Sequence, residues 1–188
     1  MKRSFSFASK LWISLGILII GYSLSMTVEF VSGRRTEDSL HHVSEYVFPA
    51  TQISQQALTA FNEQIRQYDN AVMMGEESAM EAAAASRAVA EDALNAMAAL
   101  EGLSAAQKAD IQNTHQALLE FTKSANPLYT AISSGLQSDK VYEGALQLAD
   151  RIKEIRAKLA AFKDTFSEEL KADLAETGRL TRHQRYLN

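Results

Sequence analysis

Past Gly33 the apolar residues recur in steps of three and four. No stretch alternates with the two-residue period of a strand, so the pattern predicts helices throughout. The first helix is expected from about Thr36 to Met74, with Val43, Val47, Ala50, Ile53 or Ser54, Ala57, Phe61, Ile65, Tyr68 and Val72 on one stripe. Pro49 interrupts it. A proline inside a helix removes one hydrogen bond and crowds the preceding turn, which predicts a kink or short break near Phe48. Gly75 ends this helix, and Ser78-Ala-Met-Glu81 reads as a capping box that opens the next.

The second helix is dominated by alanines from Ala79 to Ala99, with Met80, Val89, Leu94, Met97 and Leu100 as its larger members. Alanine favours helix and lets neighbours approach closely, so a tightly packed structural helix is expected. Gly102 stops it, and Ser104-Ala-Ala-Gln107 forms a second capping box. The third helix carries Ile111, His115, Leu118, Phe121 or Thr122, Ala125, Leu128 and Ile132, and Asn126-Pro127 is expected to kink or restart it. Gly135 closes it. The fourth shows the cleanest seam, through Val141, Ala145, Leu148, Ile152, Ile155, Leu159, Phe162, Phe166, Leu170 and Leu174, which suits near-parallel bundle packing.

Two long helices, the first and fourth, flank a shorter pair. The expected fold is therefore an all-α, antiparallel four-helix bundle. Before it lies an apolar span, Leu11–Val31, which at ~1.5 Å per residue reaches across the hydrocarbon core of a bilayer. Lys2, Arg3 and Lys10 precede the span, which favours a cytoplasmic N-terminus and an extracytoplasmic body. The expected organisation is a cytoplasmic start at 1–10, a transmembrane helix at 11–32 and an extracytoplasmic bundle at 33–188. The competing reading is a secretory signal cleaved at Ser23-Leu-Ser25; Met26, Val28, Phe30 and Val31 prolong the apolar run and argue against it. The fourth helix should run back toward the membrane, so a second span is expected past Asn188, and the chain reads as a fragment or as a protein without an output module.

Charge and composition narrow the chemistry. The net charge of the 188 residues is −4, the wrong sign for a nucleic-acid binder. With no cysteine there is no disulfide, thiolate metal site or cysteine nucleophile. His41, His42, His115 and His183 fall in no metal-binding spacing, and His115 on the third-helix seam reads as a hydrogen-bonded core residue. Glu168 and Glu169 are adjacent, so on a helix they diverge and cannot act as a paired acid and base. The glycines are isolated and form no phosphate loop. No catalytic residue, metal or cofactor is expected, and the chain does not read as an enzyme.

The architecture, with Phe48-Pro-Ala50 before the first helix proper and Tyr68-Asp-Asn-Ala-Val72 followed by Gly75 at its far end, resembles the N-terminal sensory region of bacterial methyl-accepting chemotaxis proteins and related sensor kinases. The resemblance covers almost the whole chain. It implies a first transmembrane helix in the inner membrane, a periplasmic four-helix-bundle sensor, a homodimer, and a ligand signal passed across the membrane as a helix shift. The second span, HAMP linker and methylated hairpin of that family do not occur in this sequence.

The end of the bundle far from the span gathers Asn62, Arg66, Tyr68, Asp69, Arg87, Tyr129, Thr130, Tyr142 and Arg151. The resemblance nominates Arg66 and Arg151, with Asn62 and Tyr129 beside them, as the binding set for a small anionic ligand. Surface arginines in ion pairs are the plainer reading of the same positions. Arg179, Arg182, His183 and Arg185 form a basic cluster near the C-terminus, suited to a solvated helix end or to lipid phosphates. The rival functional reading is a single-span structural or adaptor bundle that binds a protein partner.

Overall fold

The computed structural model describes residues 15, 16, 18–23, 26, 41–75 and 77–187, with side chains in the last stretch from Ser78 to Arg179. Most of the expected membrane span, together with residues 27–40, lies outside them. Among the described residues no helix is long and apolar enough to cross a membrane, and no strand occurs.

The chain divides into two compact units, Val43–Ala172 and a second made of residues 1–42 with 173–188. In the second, Leu15, Leu18, Ile19, Ile20, Tyr22 and Met26 are helical and exposed. His42 Nε2 lies 3.8 Å from Asp173 Oδ2 in the same unit.

The larger unit holds the bundle. A π-helical segment, Val43–Val47, leads into α1 (Phe48–Met74), followed by α2 (Glu77–Ala98), α3 (Ala105–Ser133) and α4 (Asp139–Leu187), the last continuing beyond this unit. The break expected near Phe48 is this π-helical segment. Pro49 stands in the first turn of α1, where its missing N–H is least costly, and the preceding turn widens where the proline would otherwise crowd it.

Gly75 takes the left-handed conformation, φ 67°, and its N–H bonds to the Ala71 carbonyl at 3.0 Å, so the chain leaves α1 where a β-carbon would be strained. The first capping box is displaced: α2 already begins at Glu77, one residue ahead of the serine expected to cap it. The second forms as expected. Gln107 N–H donates to Ser104 Oγ at 3.2 Å and Ser104 N–H donates to Gln107 Oε1 at 2.9 Å. Of the kink or restart expected at Asn126-Pro127, the restart does not occur: α3 remains one helix through Ser133 with Pro127 inside it. Neighbouring turns are reinforced by Ser124 Oγ donating to the Glu120 carbonyl and Thr130 Oγ1 to the Asn126 carbonyl.

Cross-helix pairs give the directions. Phe61 meets Phe121 and Gln64 meets Thr122, so α1 and α3 rise together across the core. Thr51 meets Phe166 and Asn62 meets Arg156, so α4 descends against α1. The α2–α3 turn returns to the start of α1, where a β-carbon on Gly102 would come 3.4 Å from the Tyr46 ring. The unit is thus an up-down-up-down bundle.

Its core follows the expected stripes with informative departures. Val47, Ala50, Ala57, Phe61, Ile65 and Tyr68 are buried on α1, but the last contact of the stripe falls on Ala71 rather than Val72. Ser54, Gln64, Thr114 and Thr122 are buried polar residues that the apolar stripe did not include, apart from Ser54 and Thr122 as alternatives. Ala50, Ala57, Ala60 and Ala71 on α1 and Ala79, Ala83, Ala90 and Ala93 on α2 are buried, the close approach expected of an alanine-rich helix. On α4 the seam is deepest at Leu148, Ile155, Leu159 and Phe166, and Leu174 is exposed.

Candidate functional site

Between α1 and α3, polar side chains are buried within the otherwise apolar core. Gln64 is fully buried, and its Nε2 donates to Tyr68 Oη at 3.3 Å and to Thr122 Oγ1 at 3.2 Å. Tyr68, also fully buried, donates onward to Asn126 Oδ1. The chain of bonds runs one way, from an amide nitrogen that can only donate to an amide oxygen that can only accept. Gln64 Oε1, at its start, is buried with no hydrogen-bond partner among the described residues, a costly arrangement for an amide oxygen. Tyr129 stacks flat on Tyr68, and loss of water around its ring, followed by the nearby Asp69 carboxylate, pushes its pKa up to about 12. Asp69 is itself exposed over much of its surface, yet neighbouring protein removes enough water to raise its pKa, with Arg156 pulling the other way.

The nominated residues have separate partners. Asn62 Oδ1 accepts from Arg156 Nε at 2.8 Å, an α1–α4 bond. Arg66 is tied to Glu63 of its own helix at 2.6 Å, the short-range surface pair that was the plainer expectation. Arg151 reaches Ser124 Oγ on α3 at 3.5 Å. Tyr129 belongs to the aromatic stack, and Arg87 pairs with Glu91 at 3.3 Å with an angle short of a hydrogen bond. Arg156 is the residue that sequence reasoning missed. Its signal is position, since it lies on α4 opposite Asn62, whereas the resemblance points to Arg151, five residues earlier. His115 is half-buried, and among the described residues no cluster of three histidine, aspartate or glutamate side chains could hold a metal.

A groove of about 800 Å³ runs between α1 and α2, lined by Thr51, Gln52, Gln55, Gln56, Thr59, Ala60, Glu63, Ser86 and Val89. A smaller one, about 360 Å³, lies under the α3–α4 turn between Ile132 and Ala145. Of the nominated positions none lines either. Thr51, on the groove wall, donates its hydroxyl to the Val47 carbonyl at 2.8 Å and to the Phe166 carbonyl of α4 at 3.1 Å, two acceptors sharing one proton.

No family model and no curated protein matches the sequence. Among solved structures, one titled as the periplasmic sensor domain of a sensor histidine kinase is similar, with a TM-score of 0.60 and 18% identity over 72% of this chain and 92% of that one. This chain shares the fold of that periplasmic sensor domain.

Proposed function

We propose that the chain is the extracytoplasmic sensing portion of a transmembrane receptor of the chemoreceptor and sensor-kinase type, held at the inner membrane by Leu11–Val31 and working as a homodimer. Binding of a small molecule to the bundle shifts α4 against α1, and α4 carries that shift toward the membrane. The observation that supports this reading best is the fold shared with a periplasmic sensor domain. A second supports the mechanism: beside the shared apolar core, α1 and α4 are linked by exposed or half-buried polar bonds, Thr51 to Phe166 and Arg156 to Asn62, which a bound molecule can exchange for its own. Catalysis has no part in this reading.

The test is a thermal-shift screen of the full chain in lipid nanodiscs against amino acids, small carboxylates, amines and neutral polyols. It is paired with an alkaline phosphatase fusion after Asn188. A stabilising hit and an active fusion are expected. An inactive fusion, or a bundle indifferent to every small molecule, leaves the adaptor reading in its place.

A further inference from the structure

We infer that the groove between α1 and α2 is a binding site for an uncharged, hydrogen-bonding small molecule of sugar or polyol type, and that Thr51 reports its occupancy to α4. The inference rests on the sensor reading and names a ligand class and a site for it.

The groove, at about 800 Å³, has the size of small-molecule sites. Its lining decides the chemistry. Among the described residues that line it, Glu63 alone is ionised, and its Oε1 already accepts from Arg66 at 2.6 Å and from Gln67 at 2.6 Å. No lining cation is left to hold an anion, and the single carboxylate is already paired, so the groove rewards neither sign of charge. What it offers is neutral. Gln55 donates to Thr59 at 3.2 Å, while Gln52 and Gln56, one helical turn apart on α1, and Ser86 across on α2 make no side-chain hydrogen bond among the described residues. Each glutamine amide presents two donors and an acceptor, and a serine hydroxyl presents both, which matches ligand hydroxyls that donate and accept in turn. Ala60 and Val89 supply an apolar floor for a carbon skeleton.

Thr51 makes the site more than a pocket. Its hydroxyl divides its one proton between the Val47 carbonyl on its own helix and the Phe166 carbonyl on α4. A ligand hydroxyl that donates to Thr51 Oγ1 orients that proton, and one that accepts from it removes it from Phe166. Either change alters the α1–α4 bond without any movement of the core.

Titration calorimetry of the full chain in nanodiscs tests this with maltose, myo-inositol and N-acetylglucosamine as neutral probes and aspartate and citrate as charged ones. At least one neutral probe should bind, and Gln56→Ala and Gln52→Ala should each weaken it about three- to tenfold, the loss of one net hydrogen bond. Thr51→Val gives up a ligand hydrogen bond as well and should weaken the probe about three- to tenfold, and at saturating probe it should abolish the probe-induced change in cross-linking between cysteines placed on α1 and α4, which neither glutamine substitution does at saturation. Helical circular dichroism confirms that each variant folds. Failure of all three neutral probes, or binding indifferent to both glutamine substitutions, overturns the site. Binding of aspartate or citrate that is lost in Arg151→Ala overturns the groove while leaving the sensor reading intact.

Discussion

Tyr68 and Tyr129 stack face to face, with ring centroids 4.5 Å apart and planes 3° from parallel, joining α1 to α3 across the far half of the bundle. The two rings differ in how they end. Tyr68 carries its hydroxyl into the buried chain between Gln64 and Asn126, whereas Tyr129 is half-buried beside Asp69.

Tyr68→Phe keeps the ring and removes the hydroxyl, so Gln64 Nε2 loses one acceptor and Asn126 loses its donor. Burial of unsatisfied polar groups costs about 1–3 kcal/mol each, and part of that is recovered because Gln64 still reaches Thr122. A loss of about 1–2 kcal/mol in urea unfolding is expected, with unchanged helicity. A variant as stable as the parent would show that the hydroxyl chain contributes nothing.

Alkaline pH should weaken the bundle through Tyr129. In the unfolded chain it ionises near pH 10; in the fold its pKa stands at about 12, so the folded state holds its proton longer. The unfolded state therefore binds fewer protons between those values, and stability present below pH 10 is lost as pH rises toward 12. Burial raises the Tyr68 and Tyr46 hydroxyls in the same direction. Tyrosinate absorbance should rise together with unfolding, and Tyr129→Phe should flatten the stability profile in that window. A full tyrosinate signal near pH 10 from a still-folded chain would contradict this.

Helix order and the glycine turns were legible because they are local. A residue such as Gly75 or Ser104 acts through backbone geometry and bonds within one turn, so its effect is written into neighbouring letters. Gln64 was not legible: a glutamine between Phe61 and Ile65 looks like the edge of a stripe, and only Thr122 and Tyr68 arriving from the third dimension make it a core residue. The α1–α2 groove failed for a similar reason. Gln52, Gln55 and Gln56 look like ordinary solvated positions until the small side chains of α2 leave space beside them. Arginines attract attention as binding groups because they are charged, yet Arg66 is occupied by a glutamate three residues away, a pairing that spacing alone could have suggested.

Substitution of Arg66 and Arg151 should leave stability almost unchanged at both positions. Arg66→Ala breaks an exposed pair within one helix, and Arg151→Ala breaks a 3.5 Å contact to Ser124 on α3. Exposed contacts of this kind contribute little, so both variants should unfold at the parent's urea midpoint. If either arginine serves a small anion, its loss should instead appear as weakened binding on the order of 1.5–3 kcal/mol with the melt unchanged. Unaltered affinity for every anion in both variants ends their candidacy as ligand groups.

Pro127 offers the sharpest test of local cost, because α3 stays helical through a residue that cannot supply its share of hydrogen bonds. The Lys123 carbonyl, four residues back, receives no N–H from position 127, and the pyrrolidine ring crowds that turn. Pro127 is exposed, so no core contact depends on it. Pro127→Ala restores the missing donor and gains helix propensity, worth up to about 3 kcal/mol in a regular helix. Against this, alanine frees the unfolded chain and returns about 0.4–1 kcal/mol of entropy to it. The net expectation is stabilisation by about 1–2 kcal/mol in urea unfolding at unchanged denaturant dependence. A neutral result would mean that the helix has already relaxed around the proline. A destabilised variant would overturn this expectation and show that the proline's restricted backbone is needed to seat Tyr129, two residues on, against Tyr68. In that case Tyr129 should also lose its raised pKa, and an alkaline titration of the same variant reads that directly.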